Sequence, residues 1–364
     1  MRPEAPRPPG TRESPSGWEV WGAPPPSPPN GQGPASIGGD LERVCSPWQA
    51  PLTTMNMKRT ILASVFSVLS LGLGAQQLPQ HSAFNSAGFI WNPAMTAPWY
   101  VMEVGALHRQ QWLSFEQAPQ TSIAYGQFPF VDFSMSAGGF LVRDKAGPLQ
   151  QTSVGLTYAY QLPVGSDGIL ALGILATLNQ YRFNVYEALT SQPDDPLLLG
   201  SDGSAFLPNA GAGLYYATAS GYNYDDNYFF LGVGVNQLLP RNLILGEANA
   251  HADFRREVHG NATIGGRFYQ GYLFVEPSLW INYSPNIPLN FALQLNFELE
   301  EVFWGGLVYS NDGTLGVQGG AILTGSIFQD GYLRVGAMGT YNGGTSGRTP
   351  GLGYEFFLAY QFEL

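Results

Sequence analysis

Large apolar residues alternate with small or polar ones for ten or more positions at a time along most of this chain. That pattern restricts its folds more than any other feature. Val154, Leu156, Tyr158, Tyr160 and Leu162 alternate with Gly155, Thr157, Ala159 and Gln161, and Leu170, Leu172, Ile174, Ala176 and Leu178 follow the same rule. Phe229, Leu231, Val233 and Val235 repeat it, and Phe291, Leu293, Leu295, Phe297 and Leu299 face Ala292, Gln294, Asn296, Glu298 and Glu300. Successive strand side chains point to opposite faces, so each run reads as a β-strand with one greasy face and one small or polar face. Runs of this length match a bilayer-spanning strand, which takes about 9–11 residues. In hydrocarbon every backbone polar group must be paired, and strands achieve this only as a closed barrel.

The pattern predicts an all-β transmembrane outer-membrane barrel of about 14 antiparallel strands over 99–364. The strands are expected near 99–112, 120–129, 131–143, 151–162, 168–181, 209–219, 226–238, 258–269, 272–284, 289–300, 302–310, 314–324, 331–341 and 353–364. The count is even, as single-chain outer-membrane barrels require. Connections at 129–132, 163–167 and 270–271 are short, and those at 182–208 and 239–257 are long. With a periplasmic N-terminus the long ones fall outside the cell. Pro277 lacks an N–H, so it belongs at a bulge or unpaired position of its strand. The last strand runs apolar-alternate through Phe356, Leu358, Tyr360, Phe362 and Leu364. A soluble β-sandwich also alternates. Strand length, glycine-rich inward faces and a charged content of 12%, about half the usual share, favour the barrel.

Residues 1–56 hold 13 of the 28 prolines and no strand pattern, which reads as a disordered Pro-rich extension. Met57-Lys58-Arg59, the apolar run from Ile61 to Leu73 and the small pair Gly74-Ala75 form a signal peptide over 57–75. The apolar run is too short to span a bilayer as a helix. Signal peptides act at a true N-terminus, so Met57 reads as the start of the chain and 1–56 as a mis-assigned upstream stretch. Cleavage near Ala75 leaves a periplasmic N-terminal segment over 76–98, which could also serve as a thin plug. It also removes Cys45, the single cysteine.

A formal net charge of -11 excludes a nucleic-acid binder, which needs clustered Lys and Arg against phosphate. No catalytic, cofactor or metal constellation stands out. His81, His108, His251 and His259 lack metal-ligand spacing and read as loop or lumen residues. Glu298, Glu300 and Glu301 read as a solvated rim. Asp194-Asp195 and Asp225-Asp226 resemble calcium ligands only weakly. Arg255-Arg256 reads as a solvated turn or as a contact to lipopolysaccharide phosphates.

Four segments recur in a characteristic order. Gln77-Leu78-Pro79-Gln80 precedes Asn92-Pro93-Ala94, then comes Arg109-Gln110-Gln111-Trp112, then Ala118-Pro119-Gln120-Thr121. With the terminal Tyr354-Glu355-Phe356-Phe357-Leu358-Ala359-Tyr360-Gln361-Phe362, this order resembles the PorP/SprF family of type IX secretion outer-membrane proteins. Departures from that family's pattern include His81 where an aromatic is usual and Leu364 beyond the usual terminal aromatic. The resemblance implies a non-enzymatic component of the Bacteroidetes type IX secretion and gliding machinery, without cofactors. Its implied partners are outer-membrane lipids, type IX ring components and secreted adhesin cargo. It marks Asn92, Pro93, Arg109, Trp112, Pro119 and Thr121 as motif positions with structural or partner-contact roles. An outer-membrane channel for small or hydrophobic solutes is the alternative.

Overall fold

The computed structural model describes residues 84–184, 203–219, 227–247, 250–285, 287–299, 302–325, 331–343 and 351–363. The Pro-rich extension, the signal peptide and the Asp194-Asp195 and Asp225-Asp226 pairs lie outside them. So does the start of the 76–98 segment.

Fourteen strands form one closed antiparallel barrel. They are β1 (Val101–Gln110), β2 (Gln120–Phe130), β3 (Met135–Ala146), β4 (Leu149–Val164), β5 (Gly168–Phe183), β6 (Gly203–Ala217) and β7 (Tyr228–Asn236), followed after an excursion by the rest. The excursion carries a separate hairpin, β8 (Asn242–Glu247) with β9 (Ala250–Arg255). The remaining wall is β10 (His259–Gln270), β11 (Leu273–Tyr283), β12 (Asn290–Leu299), β13 (Phe303–Ser310), β14 (Thr314–Leu323), β15 (Gly331–Asn342) and β16 (Gly351–Glu363). Each strand pairs with its neighbour in sequence, β7 pairs with β10, and β1 closes the ring on β16 from Val101↔Glu363 to Gln110↔Tyr354. Closure rules out the sandwich.

The alternation sorts the faces as expected. Val154, Leu156 and Tyr158 on β4 are exposed outward, while Ser153, Thr157, Ala159 and Gln161 are buried inward. On β12, Leu293 is exposed and Ala292, Gln294 and Glu298 are buried. The clearest departure is β2, which turns Ile123 and Tyr125 inward and leaves Ser122 and Ala124 on the outer wall; Leu107, Phe140, Val142 and Leu175 on β1, β3 and β5 also face inward. Pro277 sits where its missing N–H costs nothing. It pairs with Leu295 on β12, but the β10–β11 ladder skips it between Gly265↔Ser278 and Phe268↔Val275. The 239–257 stretch, read as a loop, contains the β8–β9 hairpin, whose strands are only six residues each.

Because the strand count is even, β1 starts and β16 finishes at the same end of the barrel, called here the lower end. The connections β2–β3, β4–β5 and β10–β11 are short and lie there, whereas 184–202 and 237–258 lie at the upper end.

Leu156 is 68% exposed and central on β4. Leu156→Arg is expected to destabilise the barrel by about 2–4 kcal/mol in urea titrations from lipid bilayers, the cost of a cation at the bilayer midplane.

Candidate functional site: the plugged lumen

Eight strands make a barrel that side chains alone can fill, and 16 to 18 leave an aqueous channel. Fourteen leave a lumen too wide for wall side chains. Here the chain fills part of it with its own N-terminal segment. Two short 3₁₀ helices, Phe84–Ile90 and Pro93–Met95, lie against the inner faces of β2 to β7 and β10. The described part of the 76–98 segment is therefore a plug inside the barrel wall.

Asn92 and Pro93 organise it. Asn92 is fully buried and extended, its Oδ1 accepts from the Ala94 N–H at 3.1 Å, and its Nδ2 donates to the Leu214 carbonyl at 3.0 Å. A residue before proline avoids the helical region, so Asn-Pro fixes the bend before the second helix, whose first position suits proline. The wall supplies the remaining partners. The Trp91 carbonyl accepts from Asn236 Nδ2 at 2.6 Å and Asn261 Nδ2 at 2.9 Å. Ser136 Oγ donates to the Thr96 carbonyl at 2.5 Å, and the Thr96 and Thr157 hydroxyls lie 3.0 Å apart. Gln161 Nε2 donates to the Ala97 carbonyl at 3.1 Å, and Gln127 Oε1 accepts the Ala97 N–H at 2.8 Å. A segment without regular ladders thus has buried backbone groups paired by its own turns and by inward side chains, as burial demands.

Packing completes the lock. Phe89, Ile90 and Trp91 join Ile123, Tyr125, Phe140, Val142, Leu175 and Trp280 in one apolar core, with Phe89 edge-on to Tyr125 and Phe140. Each large side chain so buried contributes about 1.5–3 kcal/mol. Two wall glycines are required by close approach: a Cβ on Gly173 would overlap the Ala94 backbone, and one on Gly213 would overlap Asn92 Oδ1. The inner face is therefore not the simple wet face that the alternation implies.

The other motif residues meet at the upper end of the closure seam. Glu355 (β16), Arg109 (β1), Thr121 (β2) and Asp144 (β3) are successive register partners on the inner face. Arg109 Nε lies 3.9 Å from Glu355 Oε2, with both side chains buried, and Thr121 Oγ1 donates to Asp144 Oδ1 at 2.5 Å. Trp112 and Pro119 close the connection above this row. Trp112 has φ 52° and packs on Gly351 at the start of β16, and the Pro119 carbonyl accepts the Gln111 N–H at 3.0 Å. Asn92 and Pro93 lie apart, in the plug.

Between the plug and the wall from β10 to β16, at the lower end, lies a cavity of about 250 Å³. Its charged lining is Glu103, which accepts from Gln127 Nε2 at 3.5 Å, and an ion-pair network. Arg267 bridges Glu276 at 2.8 Å and Glu298 at 2.9 Å, and Arg334 reaches the other Glu298 oxygen at 2.7 Å. Glu298 is thus no solvated rim residue: an inward strand position buries it between two guanidiniums. Glu300 and Glu301 lie outside the described residues. His108 is neither a loop nor a lumen residue, since its β1 parity turns it outward, 2.9 Å from Ser122 Oγ. Arg256 is buried over the Tyr181 ring rather than set in a solvated turn. Asn236, Asn261, Ser136 and Asp144 were not singled out by sequence, and Glu355 only as part of the terminal segment. The signal that could have found them is a polar side chain at an inward strand position.

The fold and its filled lumen define a class: outer-membrane β-barrels of 14 strands closed by their own N-terminal segment. The chain belongs to the family of type IX secretion system membrane proteins PorP/SprF, whose family model matches residues 73–360. No curated protein sequence matches it. Among solved structures it is similar to the CymD monoaromatic hydrocarbon channel, with 11% identity and a TM-score of 0.47 over 81% of this chain and 94% of that one. The Pseudomonas putida toluene transporter TodX gives 8%, 0.48, 81% and 97%. A Pseudomonas aeruginosa FadL homologue gives 10%, 0.44, 80% and 100%.

Arg109→Ala leaves Glu355 buried without its cation and is expected to cost about 3–5 kcal/mol of barrel stability. Replacing Arg109 and Glu355 together with methionine should recover most of that loss. Equal losses in the single and double variants would show that the pair does not hold the seam.

Proposed function

We propose that this protein is the outer-membrane barrel component of a type IX secretion and gliding machinery, assisting secretion or surface attachment of adhesin-type cargo. It is exported by a signal peptide over 57–75 cleaved near Ala75, which leaves the lower end of the barrel in the periplasm. There it associates with the periplasmic ring proteins. The observation that carries the reading is the family match over 73–360, together with a lumen occupied by the protein's own segment. A barrel partly filled by a plug with many specific wall contacts suits a scaffold or docking role better than a passive pore. Asn92 and Pro93 then act through the plug. Arg109, Thr121, Trp112 and Pro119 act through the upper seam, as parts of the architecture on which partners dock.

A solute channel is the second reading, and the cavity beside the plug favours it. That reading needs the plug to move. The two part in a deletion strain: loss of particular sorting-signal proteins from its surface and secreted proteome is expected, with no uptake defect. An unchanged proteome, joined to steady conductance of the purified barrel in planar bilayers, would replace the secretion reading with the channel.

A further inference from the structure

The outer wall carries one feature that neither the plug nor the seam uses. On β3, β4 and β5 the outward rows change character sharply towards the upper end. Leu141, Val154 and Leu178 are register partners in the last apolar row. The next row up holds Arg143, Thr152 and Gln180, and the one after it Lys145, Gln150 and Arg182. Neighbouring strands lie about 4.8 Å apart, so Lys145 and Arg182 are roughly 10 Å apart, with Arg143 one row below. All three cations stand immediately above hydrocarbon-facing residues, at the level where headgroups begin.

Two comparisons make the placement specific. Among the described residues, no acid occupies an outward position on β1 to β6. The two cations lining the lower cavity, Arg267 and Arg334, face inward and are bridged to glutamates. On the opposite arc the corresponding upper row is Tyr309, Leu315, Tyr341 and Leu352, an exposed aromatic and aliphatic belt without charge. In a chain of net charge -11, three outward cations on neighbouring strands are not a general property of the described barrel wall.

We propose that this arc binds the phosphates of the glycolipid in the outer leaflet, lipopolysaccharide, with Arg143, Lys145 and Arg182 as phosphate ligands. Apolar residues directly beneath the cations receive acyl chains, and the polar side chains Thr152, Gln150 and Gln180 between them supply neutral hydrogen-bonding groups. The two arginines can engage phosphate oxygens through two donors at once. The site rests on the orientation given under Proposed function, with the upper end outside the cell.

The test uses the full purified chain in detergent and measures binding of bis-phosphorylated lipid A by native mass spectrometry. A cation near a membrane surface contributes about fivefold to binding, so the triple variant Arg143→Gln, Lys145→Gln, Arg182→Gln is expected to bind on the order of a hundredfold more weakly. Dephosphorylated lipid A should bind the unaltered protein with a similar loss, and inorganic phosphate alone should compete poorly because it lacks the acyl contacts. Heat-modifiable migration on gels verifies that the variant still folds. Should it not, Arg182→Gln alone is expected to lose about fivefold. Equal binding by the unaltered and substituted barrels, or indifference to the phosphates, would overturn the proposal. Orientation is read separately by labelling Phe115→Cys, in the exposed β1–β2 connection, from outside intact cells. No labelling places the arc in the inner leaflet and overturns the lipopolysaccharide assignment, while leaving the secretion reading to its own proteome test.

Discussion

Backbone hydrogen bonding in hydrocarbon is the constraint on which this structure depends. An open strand edge inside a bilayer leaves a row of donors and acceptors unpaired, each costing several kcal/mol. Pairing β1 with β16 over ten residues removes that edge and fixes the strand count, the inward and outward faces, and the end from which the N-terminal segment reaches the lumen. The buried Arg109 and Glu355 sit on that pairing. A slip of one residue would turn Glu355 towards lipid, so the pair makes the correct register the one that keeps charge inside.

Closure at fourteen strands then creates a second demand, because the lumen must be filled or wetted. The protein meets it on one side with a plug and on the other with charge. Against β2 to β7 the inner wall is smoothed by Gly173 and Gly213 and studded with amides and hydroxyls that pair the plug's backbone. Towards the lower ends of β10 to β16 a cavity remains, lined by the Arg267, Glu276, Glu298 and Arg334 network. Both halves follow from one rule: a polar group removed from water must find a partner.

Much of the barrel was legible in the sequence because alternation is a local signal. It marked all fourteen wall strands, the placement of Pro277 and the short and long connections. The plug was far less legible. Its contacts join Asn92 to Leu214 and Trp91 to Asn236 and Asn261, across separations that no local pattern encodes. The inverted β2 was the strongest clue, since Ile123 and Tyr125 stand inward where a wet lumen would place polar residues. The seam row failed to declare itself for the same reason: Arg109 and Thr121 were visible as motif residues, but their relation to Glu355 exists only once the ring closes. Glu298 and His108 were misplaced because charge alone says little about which face of a strand a residue occupies, and Arg256 because its cover, Tyr181, lies on a distant strand.

The central claim is that the N-terminal segment is held inside the closed barrel. Disulfide trapping between Thr96→Cys on the plug and Thr157→Cys on β4 tests it most directly, since the native hydroxyls lie 3.0 Å apart. Near-complete cross-linking under mild oxidation, in barrels extracted from membranes without unfolding, is the expected result. Two free thiols that both react with a bulky maleimide under the same conditions would contradict it and leave the lumen open.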